Sequence, residues 1–119
     1  MIGRREIPLE QFQAEYAAQA EKVEDVVFVC PQCRTLQSGR DFISAGIGEE
    51  MDDLQYRLGT SCIGRFITGT GCDLTLGGLQ VHTLAIVTPD GESVPHFELA
   101  SVEDAAAHRA RMASEALEQ

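Results

Sequence analysis

Four cysteines constrain this 119-residue chain more than any other feature. Two of them form Cys30-Pro31-Gln32-Cys33, directly after the run Val26-Val27-Phe28-Val29. A β-branched and aromatic run of that kind reads as a short buried strand. A CxxC on the tight turn after it suits the knuckle of a zinc ribbon, in which turn amides point at the sulfurs. Two thiolates supply half of a tetrahedral site. Cys62, in Ser61-Cys62-Ile63-Gly64-Arg65, and Cys72, in Gly69-Thr70-Gly71-Cys72, supply the other half and use every cysteine in the chain. The expected ligand set is therefore Cys30, Cys33, Cys62 and Cys72, around one structural Zn²⁺. Four sulfurs leave no coordination position for water or substrate. Arg34 and Arg65 are expected to offset part of the charge of the zinc–thiolate centre.

Other uses of the cysteines were weighed. A thioredoxin-like CxxC calls for a βαβ context and no second pair. An iron–sulfur cluster calls for closer spacing than Cys62 and Cys72 show. The second pair is not a CxxC, so the expected ribbon is irregular.

The rest of the composition explains why a metal would matter. Apolar residues make up 44% of the chain, but aromatics are five Phe, two Tyr and no Trp. A small core thin in large side chains gains most from a cross-link. At this length one domain is expected, 1–119, with an N-terminal helix over 7–23, a zinc-ribbon-like core over 24–100 and a C-terminal helix over 101–119.

The class is α+β, a small irregular antiparallel core flanked by helices. Leu9, Phe12, Tyr16 and Ala20 recur at helical spacing after Pro8. Thr35 to Gln37 reads as a second short strand. Ser38 and Asp41 form a capping box for a short helix through Phe42 and Ile43. Glu49 to Leu58 reads as another short helix. Leu74 to Thr88 reads as β, with a bend at Gly77-Gly78. Thr88-Pro89-Asp90-Gly91 turns it back through Ser93 to Leu99, on an edge because of Pro95. Ser101 and Asp104 cap the last helix, whose weak stripe is Val102, Ala105, Ala106, Met112, Ala113 and Leu117. Such a stripe suits loose docking or association as a homodimer.

Nineteen acidic and nine basic side chains give a net charge of −10. Four thiolates and one Zn²⁺ would take it to about −12. That surface disfavours nucleic acid and anionic membranes, and suits a protein partner with a basic surface. Glu49, Glu50, Asp52 and Asp53 form the densest acidic group and the candidate partner-binding residues. Their place at a helix start gives them a purely local use as well. No apolar run follows the first six residues and no stretch is long enough to span a membrane, so a cytoplasmic location is expected.

Catalytic signals are absent from the sequence. It has no nucleophile elbow, HExxH, P-loop or GxGxxG. His82, His96 and His108 are candidates for metal binding or acid–base work. His82 and His96 lie on the expected hairpin, and an enzyme site near them is one alternative.

From Val26 to Ala100 the chain resembles a group of small four-cysteine, zinc-ribbon-like proteins encoded by phages and prophages. The residues that carry the likeness are Phe28-Val29-Cys30-Pro31-Gln32-Cys33, Asp41-Phe42, Ser61-Cys62-Ile63-Gly64-Arg65 and Gly71-Cys72. They continue through Gly77-Gly78-Leu79, Val87-Thr88-Pro89-Asp90-Gly91 and Phe97-Glu98-Leu99-Ala100. Arg34 departs from the pattern, since such knuckles favour glycine there. The resemblance implies a zinc-binding fold and a mobile-element origin, and it carries no established activity with it. For a phage protein, located in the host cytoplasm, the expectation is a non-enzymatic protein that binds a basic partner through its acidic surface, a host nucleic-acid-binding defence complex of the anti-CRISPR kind being one such partner. A zinc-ribbon accessory module in phage transcription or DNA metabolism is a further alternative.

Overall fold

A computed structural model describes residues 5–54, 57–76 and 83–117. Two three-stranded sheets and three α-helices build the α+β fold. The first sheet has the order β1 (Arg5–Pro8), β4 (Leu84–Val87), β5 (Ser93–His96), and the second the order β3 (Leu36–Ser38), β2 (Val27–Val29), β6 (Glu98–Leu99). The helices are α1 (Leu9–Gln19), α2 (Gly39–Ser44) and α3 (Val102–Leu117).

One strand was not expected. β1 pairs in parallel with β4, Ile7 opposite Ile86. The helix expected over 7–23 therefore begins at Leu9, and Pro8 is both the end of β1 and the N-cap of α1. Only Ile7 of β1 is buried, so no alternating pattern announces it. Leu9, Phe12, Tyr16 and Ala20 all face the core as their spacing requires.

β4 and β5 form the expected antiparallel hairpin, with Pro95 on the edge strand opposite Ala85. The return strand does not continue to Leu99. At Phe97 the chain leaves the first sheet, and Glu98–Leu99 join the second beside β2. Phe97 is fully buried at this crossing, and its amide donates to Gly59 O at 2.8 Å. Of the β structure expected over 74–88, β4 and a single bridge from Thr75 to Ser61 occur among the described residues. Gly77, Gly78 and His82 lie outside them.

β2 is covered on both faces. Phe28 and Cys30 join the main core, with Phe12, Phe42, Leu54, Leu84 and Phe97. Val27 turns the other way, onto Ala100 and Ala105, where α3 docks. The capping box at α2 is complete. Ser38 Oγ accepts the Asp41 amide at 3.2 Å and Asp41 Oδ2 accepts the Ser38 amide at 3.0 Å. At α3, the Ser101 hydroxyl accepts the Asp104 amide at 3.0 Å. Of the helix expected over 49–58, a 3₁₀ turn, Met51–Leu54, occurs among the described residues, and residues 55 and 56 lie outside them.

α3 docks through only part of the expected stripe, Ala105 and Met112. Val102 is 58% exposed, and Ala106 and Ala113 are also exposed, whereas Ala105 and His108 are buried. The docking stripe runs through Ala105, His108 and Met112. Its central position is a histidine, so the stripe looked weak in apolar residues.

Candidate metal centre

The four cysteines reach the centre from three stretches of chain. β2 ends at Cys30, and the turn after it closes with Arg34 N donating to Cys30 O at 2.9 Å and Cys30 N donating to Thr35 O at 3.0 Å. The backbone amides of Cys33 and Gln32 point at Cys30 Sγ. This is the knuckle arrangement the spacing implied. Arg34 completes the turn in the left-handed region, at φ 65°, where glycine would be unstrained. The departure from the glycine pattern is thus a real conformational cost, of about 1–2 kcal/mol.

The second half is also a knuckle, assembled from two stretches of chain. Gly64 N and Cys72 N both hydrogen-bond to Cys62 Sγ, the latter at 3.3 Å. Cys72 thus takes the place that residue i+3 holds in a CxxC. The loop between them is braced by Arg65, which donates to Asp73 O at 2.6 Å.

All four sulfurs lie within 4.8 Å of one another. Cys30 Sγ to Cys72 Sγ and Cys33 Sγ to Cys62 Sγ are each 3.7 Å. Four sulfurs about 2.3 Å from one ion at the corners of a tetrahedron stand about 3.8 Å apart, so the cluster fits a tetrahedral metal. Cys30 and Cys62 are fully buried, and Cys33 and Cys72 are half-buried. Burial pushes the Cys30 thiol up to about 12 and that of Cys62 up as well. At Cys33 burial acts the same way, but the Thr35 hydroxyl 3.1 Å away, the Thr35 amide and the neighbouring thiols hold it down to about 7. A buried cluster of this kind ionises only with a cation to balance it.

Gln37 is a positioning residue that the sequence did not reveal. It is fully buried on β3, and its side chain donates to Leu58 O at 2.8 Å and to Ser61 O at 2.9 Å, while accepting from Ile63 N at 2.8 Å. Those bonds bracket Cys62. Gln19 works similarly at the end of α1, donating to Val27 O and Ala100 O and accepting from Val27 N. A lone Gln in a helical or strand pattern carries no signal of such a role.

The remaining candidates separate. Glu49, Glu50, Asp52 and Asp53 are all exposed. Asp53 accepts the amides of Glu49 and Glu50 at 3.0 and 3.1 Å, which holds its carboxyl below the usual range. It serves the local turn. His96 packs between Phe12 and Phe28, at ring distances of 4.9 and 5.5 Å, and its Nδ1–H donates to Phe97 O at 2.7 Å. Burial lowers its pKa. His108 Nε2 lies 2.6 Å from Asp41 Oδ2, a buried pair 67 residues apart in sequence. Arg111 donates to His108 Nδ1 at 2.9 Å, so Nε2 carries the proton shared with Asp41.

Fold and site together define a small α+β domain organised around a four-cysteine cluster with the geometry of a tetrahedral metal site. A family model described as VVA0879-like matches residues 8–100, and the chain belongs to that family. The matched span takes in α1 as well as the region around the cysteines. No curated protein and no solved structure matches the chain. Among the described residues, no helix is long and apolar enough to cross a membrane.

Proposed function

We propose that this protein is a non-enzymatic domain, held together by one structural Zn²⁺, that acts by binding a basic macromolecular partner. The observation that carries the reading is the closed sulfur cluster. Four thiolates at tetrahedral spacing hold zinc and leave it no open position for chemistry. The ion then supplies folding energy, and the charged surface supplies the recognition.

A net charge of −10 with exposed Glu49, Glu50 and Asp52 suits a partner lined with Lys and Arg. Among the described residues, these three carboxylates have no intramolecular partner that would occupy them. The likeness to phage-encoded zinc-ribbon-like proteins favours, as that partner, a host defence complex that holds nucleic acid in a basic channel.

The test is binding of a candidate basic complex by wild type and by the triple variant Glu49→Gln, Glu50→Gln, Asp52→Asn, which spares Asp53. Raising salt from about 0.05 to about 0.5 M should weaken wild-type binding tenfold or more. The variant should bind at least about tenfold more weakly at low salt. Binding that ignores both salt and the substitutions overturns the acidic-surface reading. Direct binding of nucleic acid by the protein alone would instead favour the accessory-module alternative.

A further inference from the structure

Residues of the two loops that carry the cysteines, though no cysteine itself, line an open cavity of about 750 Å³ together with residues of α2 and α3. Arg34 and Thr35 come from the first knuckle, Ile63 and Thr70 from the split second one, and His108, Arg111 and Met112 from α3. A volume of this size takes a small organic molecule.

Arg5 pairs with Glu15 and Glu98, and Arg40 with Glu24 and Asp25. In the neighbouring cavity Arg109 donates to Asp25 O. Arg34 and Arg111, like Arg57, Arg65 and Arg109, have no carboxylate ion pair among the described residues, and these two line this cavity. Of the two carboxylates that line the cavity, Asp41 is buried and already engaged by His108 Nε2 and the Ser38 amide, and Glu115 is exposed at its edge on α3.

Arg111 is also held in place. Its contact with His108 Nδ1 ties it through the imidazole to Asp41, a relay that orients the guanidinium at the cavity wall. Arg34 stands at a left-handed position that disfavours any side chain. A planar guanidinium presents paired donors that match an oxyanion. Leu36, Ile63, Ile67 and Met112 give the cavity an apolar lining beside them.

We propose that this cavity binds a small organic anion, its phosphate or carboxylate held by Arg34 and Arg111 and its apolar body set against Ile63, Ile67 and Met112. The site is separate from the acidic partner-binding surface, so either reading can fail without the other.

The test uses the metal-loaded full chain and four probes: phenyl phosphate, benzoate, inorganic phosphate and neutral phenol, followed by amide NMR titration. Saturable binding of phenyl phosphate or benzoate is expected, centred on Thr35, Ile63 and Arg111, and the stronger of the two identifies the oxyanion. Inorganic phosphate should bind more weakly and phenol not measurably. Arg34→Gly, relaxed at its left-handed φ, and Arg111→Gln, which keeps a donor for His108, should each weaken binding about tenfold or more. Both should keep one metal per chain, and Arg34→Gly should melt no lower than wild type. No saturable anion binding up to about 10 mM, or binding unchanged in both variants, overturns the proposal. Equal affinity for inorganic and phenyl phosphate removes the apolar half of it.

Discussion

Gly64 and Gly71 lie backbone against backbone behind Cys62, so close that neither has room for a side chain. A Cβ on Gly71 would stand 2.8 Å from Cys62 Sγ and 2.9 Å from Gly64 N, and one on Gly64 would stand 2.6 Å from the Gly71 carbonyl carbon. This approach brings the Cys72 amide onto Cys62 Sγ and makes one knuckle from two loops.

Alanine at either glycine should therefore open the second knuckle. Backbone is the obstacle at Gly64, so the cost cannot be relieved by turning a side chain. Gly64→Ala is expected to cost about 2 kcal/mol or more. Gly71→Ala adds the strain of φ 77° to its clash with Cys62 Sγ. Both variants should give up metal to a competing chelator at least tenfold more readily. Thermal melts with and without chelator read both effects. A Gly64→Ala protein that melts with wild type would refute the split knuckle.

Removal of the metal should unfold the domain. Cys30 and Cys62 are fully buried within the main core cluster, so the centre and the core are one structure. Structural zinc sites contribute on the order of 10 kcal/mol, comparable with the whole stability of a domain this size. Elemental analysis should find one zinc per chain. A strong chelator should abolish the cooperative melt, and Cys30→Ser should reproduce that state. A chelated sample that keeps its melting curve contradicts the reading.

Gln37→Leu keeps the side-chain volume and removes three hydrogen bonds. Leu58 O, Ser61 O and Ile63 N would then be buried without their present partner, at a cost of about 3 kcal/mol in stability. Because these bonds bracket Cys62, metal affinity should fall along with stability. A variant that loses stability at unchanged metal affinity would show that Gln37 serves the core alone.

His96 makes stability depend on pH. Its folded pKa lies below the ordinary value of about 6.5 because burial between Phe12 and Phe28 penalises the imidazolium. Unfolding restores the ordinary value, so the denatured chain takes up a proton that the native one refuses. The stabilising contribution is full above about pH 6.5 and is lost as pH falls toward the folded pKa. Between pH 7.5 and 5.5 wild type should lose more melting temperature than His96→Gln, with the metal's own acid release common to both. Equal slopes would remove His96 as the source.

Much of the local structure was legible. Ser38 with Asp41 marked the start of α2, and Thr88-Pro89-Asp90-Gly91 marked the β4–β5 turn, because both depend on residues a few positions apart. Asp41 was visible only as a cap. Its second partner, His108, comes from the far end of the chain, where it read as a candidate for metal binding or acid–base work. The acidic run beginning at Glu49 was read as a helix, but Asp53 draws back the amides of Glu49 and Glu50, and Met51–Leu54 form a 3₁₀ turn.

By itself the sequence singled out the four cysteines that the fold brings together, the strand that leads into Cys30, the apolar face of α1 and the acid excess. Each follows from side-chain chemistry or from a short repeat along the chain. Tertiary structure alone decided that β1 pairs in parallel with β4, that Phe97 passes the chain between sheets, and that Gly64 meets Gly71. It also decided that Gln37 and His108 are buried with their partners. Those outcomes join segments dozens of residues apart, and a polar side chain shows its buried partner only once the backbone has brought the two together.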